Sequence, residues 1–156
     1  MRFLKLAFIS FIILFGIITA ISLIIPSHIR LAKFIVLNPK KDSIFFLVKN
    51  KEEWPRWHPS FINGEHSEML SKIQVNIISE KDSVLLMQWQ QPGKKPLNMG
   101  WQLFKESTLN SATLQWYIDF HLSWYPWEKI GSLFYESNYG AMMEQGLYNI
   151  KVELEK

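Results

Sequence analysis

Asp119 and His121 are the residues whose types and spacing most readily suggest chemistry. They lie in a run where Leu114, Trp116, Ile118, Phe120 and Leu122 alternate with Gln115, Tyr117, Asp119, His121 and Ser123. On a β-strand this alternation puts Asp119 and His121 on one face, beside Tyr117 and Gln115. An imidazole oriented by a carboxylate is a candidate general base. That face is read first as the solvated side of a sheet, because the opposite face is wholly apolar. It lines a pocket only if the sheet curls the other way. The other histidines, at 28, 58 and 66, add no metal-ligand spacing. There is no cysteine, no Gly-x-Ser-x-Gly elbow and no glycine-rich phosphate or dinucleotide pattern. No metal or cofactor is expected, and catalysis has only Asp119 and His121 as an acid/base pair.

Binding residues are easier to nominate. All seven tryptophans, Trp54, Trp57, Trp89, Trp101, Trp116, Trp124 and Trp127, fall after residue 27. Large flat side chains can line an apolar cavity and grip a ligand, or fill the core of a small domain. Met142, with Met87, Met99 and Met143, can add an adaptable apolar surface. The seven tryptophans and Met142 form the expected ligand-binding set. Pro126 breaks any strand through Trp124-Tyr125-Pro126-Trp127, so these rings cannot all point inward. They are placed at a cavity lip, with a bilayer interface as the alternative.

The elements that must position these residues begin with an oily segment. Leu6 to Ile25 is twenty residues without a charge, fourteen of them Leu, Ile or Phe. As a helix it matches a hydrocarbon core of roughly 30 Å. A secretory signal usually has an apolar core of about 7–15 residues and a small-residue cleavage site. Here the run is longer, and Ile24, Ile25 and Pro26 stand where small residues belong. The expected plan is an uncleaved membrane anchor over 1–26 and one domain over 27–156. Arg2 and Lys5 on a short leading tail favour a cytoplasmic N-terminus and an extracytoplasmic domain. Arg30, Lys33, Lys40 and Lys41 nearly balance them. The whole chain carries a formal charge of +3 without a basic stripe interleaved with aromatics, so nucleic-acid binding is not expected. The absence of cysteine suits an oxidising compartment. Oligomeric state is left open.

Alternation predicts strands over 29–37 (Ile29, Leu31, Phe34, Val36), 73–77, 83–91, 99–106 and 114–122. A helix follows Asn38-Pro39 to about Asn50, and a short helical turn fits Trp54 to Pro59. Ile130, Leu133, Phe134, Met142 or Met143, Leu147, Ile150 and Leu154 trace one helical stripe, with a possible kink at Gly140. Gly146 lies inside that helix at a cost of about 1 kcal/mol relative to Ala, tolerable if the backbone lies close against a sheet. The class is α+β: an antiparallel sheet with one apolar face, covered by the terminal helix.

Three stretches in this order resemble the START-like, or SRPBCC (polyketide cyclase/dehydrase-like), superfamily. They are Ile35 to Phe45, Trp54-Pro55-Arg56-Trp57-His58-Pro59, and Gly140 to Lys151. Trp124 to Phe134 is similar to a membrane-anchored bacterial branch of that superfamily. The resemblance implies a helix-grip fold, with a curved antiparallel sheet around a long C-terminal helix and a cavity between them. It implies a binding domain for an apolar or amphipathic small molecule or lipid, without catalysis. A cyclase or hydratase on an apolar substrate is one alternative; a structural or protein-interaction domain with a self-filled cavity is the other. The early strands lack the Gly-x-Gly usual in the family and residues 60–72 are short, so a smaller cavity or a missing strand is expected. A volume below roughly 300 Å³ favours the self-filled reading.

Overall fold

A computed structural model describes residues 2–37, 41–62, 67–105 and 111–155. The chain divides into two compact units, Met1–Ile29 with His121–Tyr135, and Arg30–Phe120 with Glu136–Lys156.

In the first unit, α1 runs over Arg2–Ile24. Its segment Phe3–Ile24 is long and apolar enough to cross a membrane, and nearly all of it is exposed. Two of its polar side chains bond within the helix: Thr19 Oγ1 donates to the Phe15 carbonyl and Ser22 Oγ to that of Thr19, both at 2.8 Å. A short helix, Pro126–Gly131, opens on proline, which has no N–H to leave unsatisfied there. Its buried Lys129 donates to the Ile25 carbonyl at 2.6 Å and to Ser27 Oγ at 2.8 Å. The Leu122 N–H donates to the Ser27 carbonyl at 2.8 Å. Lys129 thus ties off the chain where it leaves α1.

The sheet has five strands: β1 His28–Leu37, β2 Gln74–Lys81, β3 Val84–Gln90, β4 Leu97–Lys105 and β5 Ala112–His121, in spatial order β1-β5-β4-β3-β2. It is antiparallel and curves around the C-terminal helix, the expected α+β helix-grip arrangement. Strict alternation sends Leu85, Met87 and Trp89 of β3, Met99, Trp101 and Leu103 of β4, and Leu114, Trp116 and Ile118 of β5 into the core. Register aligns them: Leu85 faces Trp101, Met87 faces Met99, and Trp101 faces Trp116.

Three local expectations change. In β1 the buried positions are Leu31 and Leu37, while Phe34 and Val36 are exposed. Residues 34–36 are apolar on both faces, so the strand's pattern there is ambiguous, and the odd-numbered side turns inward. In the edge strand β2, the register shifts between Ile77 and Ser79 and both Ile77 and Ile78 are exposed. Such a bulge ends strict alternation. The long C-terminal helix is also broken. After Pro126–Gly131 come a 3₁₀ turn, Ser132–Phe134, and a π-type turn, Glu136–Gly140; the continuous final helix is only Ala141–Leu154. Leu133 and Phe134 are exposed and belong to the first unit, so the buried stripe is Met143, Gly146, Leu147 and Ile150.

Gly140 marks that break. A Cβ there would lie 2.9 Å from Glu136 Oε1 and 3.3 Å from Lys33 Cε. Its absence lets Lys33 of β1 reach both Glu136 and Glu144, at 2.6 Å each. The remaining helices of this unit are Lys41–Lys49, Trp54–Trp57 and Ser67–Lys72. The last of these has no counterpart in the periodicity reading.

Candidate functional site: an aromatic-walled cavity

The second unit holds a partly open cavity of about 250 Å³. The sheet contributes Trp89, Met99, Trp116 and Ile118, and the approach to the final helix contributes Tyr139 and Met142. His58, Ser60 and Phe61 close another side, with Met69 and Ile73. Gln91, Lys94, Lys95 and Leu97 come from the β3–β4 connection, where both lysines are exposed.

The Trp54–Trp57 helix builds much of this wall indirectly. Its two indoles lie three residues apart, one helical face, and donate to carbonyls near the end of the Lys41–Lys49 helix. Trp54 Nε1 reaches the Val48 oxygen and Trp57 Nε1 the Leu47 oxygen, both at 3.0 Å. Trp54 then stacks on Trp89 with centroids 3.9 Å apart. Trp57 meets Trp101 and Trp116 edge-on at 5.5 and 5.8 Å, and those two stack on each other at 4.6 Å. Asn149 Nδ2 donates to the Trp57 carbonyl at 2.9 Å, joining the final helix to the same segment. A Cβ on Gly146 would lie 3.0 Å from Trp116 and 3.3 Å from Pro59, so glycine permits this close approach of helix to sheet.

Of the eight residues nominated from sequence, Trp89, Trp116 and Met142 line the cavity. Trp54, Trp57 and Trp101 do not. They are completely buried, the first two holding backbone carbonyls and the third stacked behind Trp116. Trp124 and Trp127 are not among the lining residues. They lie in the first unit, 71% and 64% exposed, stacked through Tyr125 at 4.9 and 4.8 Å, because Pro126 turns this segment into a helix.

His58 is the lining residue the sequence undersold. Its ring sits among Trp57, Phe61, Trp89 and Trp116, with centroids 4.8–5.9 Å away. Burial pushes its pKa down to about 4, so it is neutral at physiological pH. The Ser60 N–H donates to its Nδ1 at 3.3 Å. A single histidine between two prolines carried no pattern that distinguished it from His28 or His66.

Asp119 and His121 have different partners. Asp119 accepts two hydrogen bonds from Arg30, Nε to Oδ1 and Nη2 to Oδ2, each 2.7 Å. The guanidinium also lies over the Tyr117 ring, 4.2 Å from its centroid. That ring in turn covers Gly100, its cross-strand partner. The bond to Asp119 raises the Arg30 pKa, and burial raises that of the Tyr117 phenol. His121 is exposed in the first unit and stacks on His28 at 4.6 Å. Neither Asp119 nor His121 lines the cavity. Among the described residues no three His, Asp or Glu side chains gather as a metal site.

No family model and no curated protein matches this chain. Solved structures do. The di-domain ARO/CYC StfQ of the steffimycin biosynthetic pathway superposes with a TM-score of 0.57 at 8% identity, over 82% of this chain and 51% of that one. This chain therefore spans about half the length of that protein. A protein from Nitrosospira multiformis gives 0.55 at 10% identity, over 81% of this chain and 96% of that one. A START superfamily protein from Mycobacterium smegmatis gives 0.52 at 13% identity, over 81% and 97%. At such identities the likeness is one of fold. The chain shares with these structures the helix-grip arrangement, an antiparallel sheet curved around a C-terminal helix.

Proposed function

We propose that this chain is a membrane-tethered binding domain for a small apolar or amphipathic molecule, with no chemistry of its own. Residues 1–26 are the anchor and 27–156 the START-like domain. The observation that carries the reading is the cavity between sheet and final helix, walled by Trp89, Trp116, Ile118, Met99 and Met142. Its volume of about 250 Å³ lies below the usual range of roughly 300–1,000 Å³ for ligand sites. The ligand is accordingly small, or is the end of a longer molecule that leaves through the opening. The seven tryptophans are not equivalent here: three build the frame, two contact the ligand, and two sit outside it.

The tether rests on α1, whose exposed apolar surface needs a non-aqueous surrounding. The exposed Trp124 and Trp127 share its unit and suit the lipid–water boundary, where aromatic rings gather. Arg2 and Lys5 before α1 favour an extracytoplasmic domain, against Arg30, Lys33, Lys40 and Lys41 after it.

A self-filled interior is the second reading, favoured by the small volume and the four completely buried tryptophans. An enzymatic reading is weaker, because neither Asp119 nor His121 lines the cavity. The test is native mass spectrometry of the full chain extracted from membranes in mild detergent. A retained small molecule, released on heating, is the expected result. Bare protein, with no thermal stabilisation by any apolar small molecule of a screening panel, would favour the self-filled interior.

A further inference from the structure

The sheet wall of the cavity presents buried hydrogen-bond donors without partners. Trp89 and Trp116 are both more than nine-tenths buried, both line the cavity, and both carry an indole N–H with no partner in the protein. A buried donor left unsatisfied is costly, and native structures hold few of them. His58 adds another donor. Its Nδ1 accepts from the Ser60 N–H, so in the neutral ring the proton belongs on Nε2. The rest of the sheet wall is Leu97, Met99 and Ile118, and Tyr139 and Met142 face it from the approach to the final helix.

From this arrangement we infer that the ligand is an uncharged, mainly apolar molecule of about one ring carrying a carbonyl-type oxygen, which accepts from the Trp89 and Trp116 indoles. The inference rests on the reading of the cavity as a ligand site. Size follows from the volume: at about 30 Å³ per water, the space equals roughly eight waters. Charge follows from the wall. A carboxylate inside needs a cation beside it, since burying an unpaired charge is far costlier than burying a carbonyl. The lining cations are Lys94 and Lys95, which are exposed on the β3–β4 connection, and His58 is neutral. A pure hydrocarbon would fit the shape but leave both indoles unanswered.

Trp101 provides an internal control. Its indole N–H is also buried and unpartnered, but it lies outside the lining. The experiment uses the full ¹⁵N-labelled chain in nanodiscs, with empty nanodiscs correcting for partition into lipid. Three single-ring probes are compared: ethylbenzene, acetophenone and benzoate. Indole resonances are assigned with Trp89→Phe, Trp101→Phe and Trp116→Phe. Acetophenone is expected to bind about tenfold tighter than ethylbenzene, the worth of one net hydrogen bond. It should move the Trp89 or Trp116 indole proton downfield and leave that of Trp101 in place. The advantage should fall in Trp89→Phe and Trp116→Phe and persist in Trp101→Phe. If either variant fails to fold, the proton shifts in the unaltered chain still decide. Equal binding of ethylbenzene and acetophenone overturns the inference while leaving the cavity as a ligand site. Tightest binding by benzoate overturns it in favour of recognition by the lysines. No binding by any probe removes the cavity reading and the inference together.

Discussion

Acidifying the protein should destabilise it through His58, by an amount the structure sets. The ring is almost fully buried among aromatic side chains, and its pKa falls from 6.5 to about 4 on folding. Between those values the unfolded chain binds a proton that the folded chain refuses. Stability is therefore complete above pH 6.5 and declines as pH falls toward 4, where the loss levels off. A shift of this size corresponds to about 3 kcal/mol in full, and to about 2–3 kcal/mol between pH 7.5 and 4.5. Aromatic faces around the ring can welcome a cation and trim that figure. For a domain of this size the change amounts to roughly 5–10 °C in Tm. Carboxylates also titrate in this window, so the comparison is with His58→Phe, which keeps a ring but cannot take a proton. Thermal unfolding of both proteins, in nanodiscs and followed by tryptophan fluorescence, should show the variant losing about 2–3 kcal/mol less on acidification. Parallel losses in the two proteins would refute the argument and put the imidazole in contact with water or a carboxylate.

Two further outcomes test other parts of the fold. A Cβ on Gly100 would lie 2.1 Å from Tyr117 Cζ, so Gly100→Ala should cost about 1–3 kcal/mol through displacement of that ring. The same change in a Tyr117→Ala background should cost nearly nothing, and a double-mutant cycle on thermal unfolding that finds equal costs would contradict the packing. In the first unit, Lys129→Met should leave the Ile25 carbonyl without its donor and cost about 1–3 kcal/mol. Hydrogen exchange at the Leu122 N–H, bonded to Ser27, should then quicken at least tenfold; unchanged exchange would mean that Lys129 is not the tie.

The cavity's character comes from how tightly the frame is built rather than from how many rings it contains. Trp54 and Trp57 serve the Lys41–Lys49 helix, and Trp101 backs Trp116. Each ring so committed is rigid, and rigidity fixes the rings that face the cavity. Gly146 does the complementary job on the helix, bringing its backbone onto Trp116 and leaving the space beside Met142 small. On the proposed reading, a narrow, pre-formed site of this kind selects on shape and on one or two polar contacts.

Much of this was legible in the chain itself. Strict alternation identified β4 and β5 and their buried faces, because a two-residue period leaves no choice once one side is apolar and the other more polar. For β3, where Val84 and Leu86 oppose Leu85, Met87 and Trp89, it gave the strand and not the side. The uncharged run of α1 and the buried Leu147 and Ile150 were equally plain, while the choice between Met142 and Met143 was left to packing, and Gly146 was read as tolerable where the backbone lies close against a sheet. Where both faces of a strand carry apolar residues, as at Phe34 and Val36, the period is ambiguous and only packing chose the side. The glycine itself marked the interruption at Gly140, but nothing local showed that Lys33, more than one hundred residues earlier, bonds two glutamates beside it. The roles of the tryptophans were likewise beyond local pattern. Whether an indole holds a carbonyl, backs another ring or faces a cavity depends on partners distant in sequence, and residue type alone does not name them. For the same reason Asp119 went to Arg30, 89 residues away, rather than to the histidine two residues along its own strand.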